Sequence, residues 1–378
     1  MIYLDNAATT FPKPQAVYRE AERVMRECGG NPGRGGHSLA LAAAREIYRC
    51  REAVAELLGG EPDRVVLTQN ATQALNLTLK GILQKGDHVL TSALAHNSVR
   101  RPLHDLEKMG VEVEHYPIFS REPLPTLIGR MIRPSTRVVE ITLRSNICSL
   151  ELPLEEIAAV CRGKGSPKGI ILVVDASQAA GARPIALGKL GKAVICAAGH
   201  KGLYGLMGSG FALFSKEIAP QEVTSLLSGG SGVGSKDAEM PDLFPERLEA
   251  GTQNPIAAAS LRAGIEAVRA VGVEEIDRRE RLLRRRLTAM LIGLGRVKVY
   301  LPHADSGAIV LFNHRSYSAE EVSDYLNSRG ICTRAGLHCA PMAHQLLATP
   351  EGGALRASLG MFTTEEEITA LWRAMREM

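Results

Sequence analysis

Hydrophobic positions along this chain change rhythm several times, and each change marks an element. Between 16 and 28, Val17, Ala21, Val24, Met25 and Cys28 recur at helical spacing. From 39 to 58 a stripe of Leu41, Ala44, Ile47, Val54 and Leu58 predicts a second helix, stopped by Gly59-Gly60. After it, short β-branched runs alternate with amphipathic segments. Strands are predicted at 65–68, 88–91, 111–116, 137–143, 170–174, 194–197 and 211–214. Helices are predicted at 72–83, 99–109, 124–132 and 154–162. This alternation specifies an α/β fold whose mostly parallel seven-stranded sheet is covered on both faces.

The rhythm lapses between 228 and 251 into Gly, Ser, Pro and charge, a loop long enough to be functional. Beyond it the pattern predicts helices at 255–271 and 273–294, strands at 297–300 and 308–312, a helix at 318–329 and a strand at 331–334. A last helix opens after Thr363-Thr364 with Glu365 to Glu367, a capping-box sequence. These elements form a smaller α+β unit with its boundary near 250. The basic run RRERLLRRR at 278–286 reads as a solvated or intersubunit helix face.

Composition narrows the class. A chain of 378 residues suggests two or three domains. Its 45% hydrophobic and 23% charged residues exclude disorder and collagen-like sequence. A net charge of +4 is too weak to argue for nucleic acid or membrane. No run approaches 18 apolar residues, and the first residues do not read as a signal peptide. Seven cysteines without a CxxC pair fit a reducing compartment, so a cytoplasmic location is expected.

Ligands of such sheets bind at the carboxyl ends of the strands. The glycines form neither the dinucleotide fingerprint nor the P-loop. A phosphate would instead suit Gln69-Asn70-Ala71-Thr72-Gln73, where free N–H groups at a helix start meet a hydroxyl; a plain cap is the ordinary alternative. The strand at 170–174 ends in Asp175-Ala176-Ser177-Gln178, and the strand at 194–197 is followed by Gly199-His200-Lys201-Gly202. A buried acid, a helix-start cradle and a strand-end lysine are the parts that hold pyridoxal phosphate. Taken singly, each also reads as a cap or an exposed charge.

Four further residues stand at the same end. His96 suits stacking on a cofactor ring, Asn146 donation to a phenolic oxygen and Arg356 a bidentate clamp on a carboxylate. Cys339, in the loop Arg334 to Pro341, has the basic neighbours that favour a thiolate. Loop histidine, turn chemistry, a salt bridge and a small core residue are their respective ordinary readings. The set His338, Cys339 and His344 lacks metal-ligand spacing, and no metal is expected.

The chain resembles the class V aminotransferase family of pyridoxal-phosphate enzymes, and within it the cysteine desulfurases. The matching stretches run in order: YLDNAAT at 3–9, NPGRGGHSLA at 31–40, NATQALN at 70–76, AHNSV at 95–99, RSN at 144–146 and VDASQ at 174–178. GHKGLYG at 199–205, EAGTQN at 249–254, RAGLHCAP at 334–341 and RASLGMF at 356–362 follow. The resemblance implies fold type I, with a large domain over 15–250 and a small domain from 1–14 and 251–378. It implies that Lys201 is the Schiff-base lysine, Asp175 the partner of the pyridine nitrogen, and Gln178 and Asn146 neighbours of the phenolic oxygen. His96 would stack on the ring and act in catalysis. Ala71, Thr72 and His200 would bind the phosphate, with Thr252 reaching it from the other subunit of a homodimer. Arg356, Asn6 and Arg34 would bind the substrate, and Cys339 would be the nucleophile.

The implied reaction converts L-cysteine to L-alanine with sulfur passed from a Cys339 persulfide to an acceptor or reductant, as in iron–sulfur cluster assembly. A mobile loop is expected to carry it. Selenocysteine lyase, a transaminase on the same fold and a non-catalytic sulfur-transfer partner are the alternatives. Ala95, Gly33 and Ala198 depart from the family pattern, where an acid, a basic residue and a serine are common.

Overall fold

The protein is described by a computed structural model over residues 1–33, 35–164 and 169–378. In chain order, β1 (Ile2–Tyr3), α1 (Gln15–Glu27) and α2 (Ser38–Leu58) come first. The large sheet is built from β2 (Val65–Thr68), β3 (His88–Ser92), β4 (Glu112–Tyr116), β5 (Thr136–Thr142), β6 (Ile171–Asp175), β7 (Ala193–Ala198) and β8 (Gly210–Phe214). Between its strands run α3 (Ala71–Ile82), α4 (Asn97–Lys108), α5 (Leu124–Met131) and α6 (Leu154–Gly163). Then follow α7 (Pro255–Val271), α8 (Val273–Gly293), β9 (Val297–Val299), β10 (Ile309–His314), α9 (Ala319–Ser328), β11 (Ile331–Cys332), β12 (Arg334–Gly336), α10 (Pro341–Leu346), β13 (Ala354–Ser358) and α11 (Glu365–Glu377).

The sheet order is β2-β8-β7-β6-β5-β3-β4, with only β8 antiparallel to its neighbours. Strands β5 to β8 are buried along their whole length, which explains why their sequences read as apolar runs rather than alternating ones. Two apolar cores flank the sheet, one under α2 and α6, the other under α3 and α4. The small unit carries the antiparallel sheet β12-β13-β10-β9. Its core takes in Leu4 from the amino end and Leu287 and Leu291 from α8.

Helix boundaries follow local chemistry. Gly59 ends α2 in the left-handed conformation at φ 69°. Asn70 caps α3 by accepting from the Gln73 N–H, and the capping box at Thr364 and Glu367 opens α11. Helix α4 begins two residues earlier than its apolar stripe predicts, because His96 is its cap.

Helix α7 lies beyond the boundary expected near 250 yet packs on the large-domain side. Ala258, Leu261 and Ile265 join the core beneath α2. Gly264 permits this approach: a Cβ there would fall 2.1 Å from the Leu203 carbonyl oxygen. The small unit's own core therefore starts with α8.

Among the described residues no helix is long and apolar enough to cross a membrane.

Candidate active site

The carboxyl ends of β5, β6 and β7 and the start of α3 enclose a cavity of about 200 Å³. Asp175 is the last residue of β6, and Lys201 follows β7 by three residues. Both line the cavity, as do Ala71, Thr72, His96, Asn146, Gln178 and His200. The two strand-end segments are held close by glycine. A Cβ on Gly202 would lie 2.4 Å from the Ala180 carbonyl oxygen, so the lysine-bearing turn can press against the chain that follows Asp175.

Burial sets the protonation of these groups. The Lys201 amine is pushed down to about 8, because its ammonium loses water; the Asp175 carboxylate opposes the shift. The His96 imidazole is pushed down to about 4 by burial and by the Lys201 charge. Its Nδ1 accepts from the Ser98 N–H at 3.1 Å, so the hydrogen of the neutral ring sits on Nε2. His200 is lowered to about 4 for the same reasons, with Lys13 adding to Lys201.

Arg356, buried in β13, donates through Nη2 to Asp5 at 2.8 Å and through Nη1 to the Asn146 carbonyl at 3.0 Å. Cys339 is exposed, at the tip of a turn after β12. That turn is not a loose arm. The Cys339 carbonyl accepts from the Asn97 N–H and the His338 carbonyl from Asn146 Nδ2, both at 2.8 Å. The segment expected to be mobile is a short turn, bonded here to the cavity-lining Asn146 and to Asn97 beside it.

Two expected residues stand elsewhere, and a third is outside the described residues. Asn6 is buried beside the cavity, but its Nδ2 donates to the Tyr3 and Ser358 carbonyls and its Oδ1 accepts from the Phe11 N–H. Its amide fastens the amino end to β13. Thr252 lines two other cavities, one of about 160 Å³ with Asn31 and Gly33 and one of about 260 Å³ with Gln69 and Gln73, and does not line the one that holds Lys201. Arg34 lies outside the described residues.

This arrangement sits in a chain whose residues 2–371 match the family model for Aminotransferase class-V. The chain belongs to the class-V aminotransferase family. Among its relatives is a probable cysteine desulfurase of Methanothermobacter thermautotrophicus, 30% identical over 382 residues that cover 100% of this chain and 94% of the relative. A cysteine desulfurase of Yersinia pestis is 28% identical over 98% of this chain and 91% of its own. Among solved structures, the apo cysteine desulfurase of Thermococcus onnurineus superposes with a TM-score of 0.89 at 28% identity, covering 100% of this chain and 94% of that one.

This class-V aminotransferase also places residues in the cavity that pattern alone did not single out. Ser177 and Thr142 line it, as does Ser98. Ser177 stands inside the VDASQ stretch between two recognised positions, so its place was legible there. Thr142 faces Asp175 across the β5–β6 register, a relation no single strand reveals. Asp5, in YLDNAAT, carries no sequence signal of its ion pair with Arg356.

Proposed function

We propose that this protein is a pyridoxal-phosphate-dependent cysteine desulfurase that converts L-cysteine to L-alanine and holds the sulfur on Cys339. The observation that carries this reading is the meeting of Lys201 and Asp175 in one cavity to whose walls the turn bearing an exposed cysteine is bonded. The donor set fits the cofactor. Asn146 Oδ1, Ser177 Oγ and His200 Nδ1 are buried polar atoms without a partner, all from residues lining the cavity. Such atoms are costly unless a ligand satisfies them.

Lys201 would carry the cofactor and Asp175 would keep its ring nitrogen protonated. Ala71, Thr72 and His200 would hold the phosphate at the start of α3, with Asn146 and Gln178 near the phenolic oxygen and His96 against the ring. When bound, pyridoxal phosphate supplies an electron sink next to the substrate Cα.

Each protein group then has a physical task. Arg356, aimed by Asp5 and the Asn146 carbonyl, orients the substrate carboxylate. Lys201, whose amine is half neutral near pH 8, takes and returns a proton at Nζ. The Cys339 thiolate would attack the substrate sulfur; the carbon–sulfur bond breaks with its electron pair left on carbon, that carbon takes up a proton as alanine forms, and a persulfide remains on Cys339. Thr252, which does not line its own chain's Lys201 cavity, supports a homodimer in which it completes the partner's site. Seven free cysteines support a cytoplasmic, reducing setting.

The test is product analysis. Protein loaded with pyridoxal phosphate should release alanine and, with a thiol reductant, equimolar sulfide from L-cysteine. Amino-group transfer to a keto acid without sulfide would make it a transaminase instead.

A further inference from the structure

Beneath the exposed Cys339, two histidines and a threonine form a chain of hydrogen bonds that the reaction above leaves unused. His338 Nε2 lies 3.0 Å from the Arg334 carbonyl oxygen, and His338 Nδ1 lies 3.1 Å from His344 Nε2. His344 Nδ1 lies 3.0 Å from Thr349 Oγ1. Both rings are buried, 5% and 2% exposed, directly under a residue that faces solvent.

Chemistry fixes the direction of every bond. A carbonyl only accepts, so His338 Nε2 carries a hydrogen. Burial and the Arg356 charge keep both rings neutral, so His338 Nδ1 is a bare lone pair. It accepts from His344 Nε2, which leaves His344 Nδ1 to accept from the Thr349 hydroxyl. No other placement of hydrogens on two neutral rings satisfies all three contacts.

The turn above needs such support. His338 and Cys339 are consecutive non-glycine residues with φ of 50° and 56°, where each Cβ crowds its own backbone. The Asn97 main-chain N–H and the Asn146 side-chain amide, donating to the Cys339 and His338 carbonyls, hold the turn from one side. The His338 ring is its anchor on the other, and His344 belongs to α10, whose Ala343 is fully buried in the large core.

We propose that the His338–His344–Thr349 relay is a positioning device that keeps the cysteine turn wound in its left-handed form and so presents the Cys339 thiol at one place. His344 acts through His338 and is a positioning residue. The proposal rests on the reading of Cys339 as the nucleophile, but part of its test does not.

The first measurement is ¹⁵N NMR of histidine-labelled full-length protein, with His338→Gln and His344→Gln used for assignment. Both rings should appear as neutral Nε2–H tautomers and remain so at pH 5. A ring in the Nδ1–H form, or one titrating near the ordinary histidine value, would overturn the relay. The second compares His344→Phe, which keeps the shape but donates nothing, with His344→Gln, whose amide N–H can replace Nε2. Misaligning the thiol should lower kcat for sulfide release about 10- to 100-fold in the Phe variant while KM for cysteine stays within about threefold. Gln should restore most of the loss. Equal turnover in Phe and wild type, or Gln no better than Phe at equal melting temperature, would sink the proposal. If wild type releases no sulfide, the nucleophile reading fails, and the tautomers still decide the relay.

Discussion

Arg356 and Asn146, one from the small sheet and one from the loop after β5, share a hydrogen bond of 3.0 Å from guanidinium Nη1 to carbonyl oxygen. Asn146 passes the link on, since its Nδ2 donates to the His338 carbonyl at 2.8 Å. The proposed substrate clamp, the cavity wall and the cysteine turn are therefore one connected unit. A disturbance at any of the three should be felt at the others.

Replacing Arg356 tests the clamp. Arg356→Lys keeps a charge but loses the planar fork that bonds Asp5 and Asn146 together. A charged hydrogen bond is worth about 1.5–3 kcal/mol, so KM for L-cysteine should rise about 10- to 100-fold. Steady-state kinetics with unchanged KM would remove Arg356 from substrate binding.

Cys339→Ser isolates the sulfur step. The side chain is exposed, so the melting temperature should barely move. Cofactor absorbance should persist, while sulfide and alanine formation fall by more than about a hundredfold. A radiolabel from cysteine sulfur should attach to wild type only. Undiminished sulfide release by the variant would make Cys339 a bystander.

The depressed Lys201 amine predicts a pH dependence. Covalent capture of pyridoxal phosphate by unloaded protein, fixed with borohydride and read by mass, needs the neutral amine. Its rate should climb through about pH 8 and level above it. An amine at the ordinary lysine value of 10.5 would be only about 0.3% neutral at that pH. Asp175→Asn removes the charge that favours the ammonium, so the midpoint should move lower. An upward shift, or capture at full rate in Lys201→Ala, would contradict the assignment.

Glu140 offers a stability test. It lies fully buried in β5, accepting from Thr91 at 2.5 Å and from Thr142 at 3.2 Å. Burial raises its carboxyl from 4.5 to about 8, with the Asp175 charge adding to the shift. The folded state thus binds this proton more tightly. Its contribution is full below about pH 4.5, declines as pH rises, and is gone above about 8. Glu140→Gln has no proton to lose, so its melting temperature should gain a few degrees on wild type between pH 5 and pH 9. A difference that does not change with pH would show that Glu140 is ionised throughout.

Where chemistry was local in sequence, it was legible. Asp175 closes an apolar run and Lys201 follows a strand and a glycine, so both could be placed at one sheet edge before any coordinates. Glu140 could not. It sits inside a strand, and its partner Thr91 is 49 residues away on β3. The His338–His344 bond was hidden likewise, because it depends on how a six-residue helix folds back under its own preceding turn. The packing of α7 was hidden for a third reason. Its small-residue face carries no mark of which core it joins, and the close backbone approach that Gly264 permits to Leu203 is invisible in sequence.

The pinned cysteine turn has a consequence for delivery. With the carbonyls of His338 and Cys339 both bonded, rotation about the Cα–Cβ bond moves the sulfur without breaking either hydrogen bond. Sulfur held on Cys339 as proposed would not ride outward on an arm to a distant recipient while those two bonds hold. A recipient would then have to bring its own thiol up to the protein's surface, and the contours around the turn, not the length of an arm, would select it. A small thiol or a protruding peptide tip meets that demand; a recipient whose sulfur is recessed in a pocket does not.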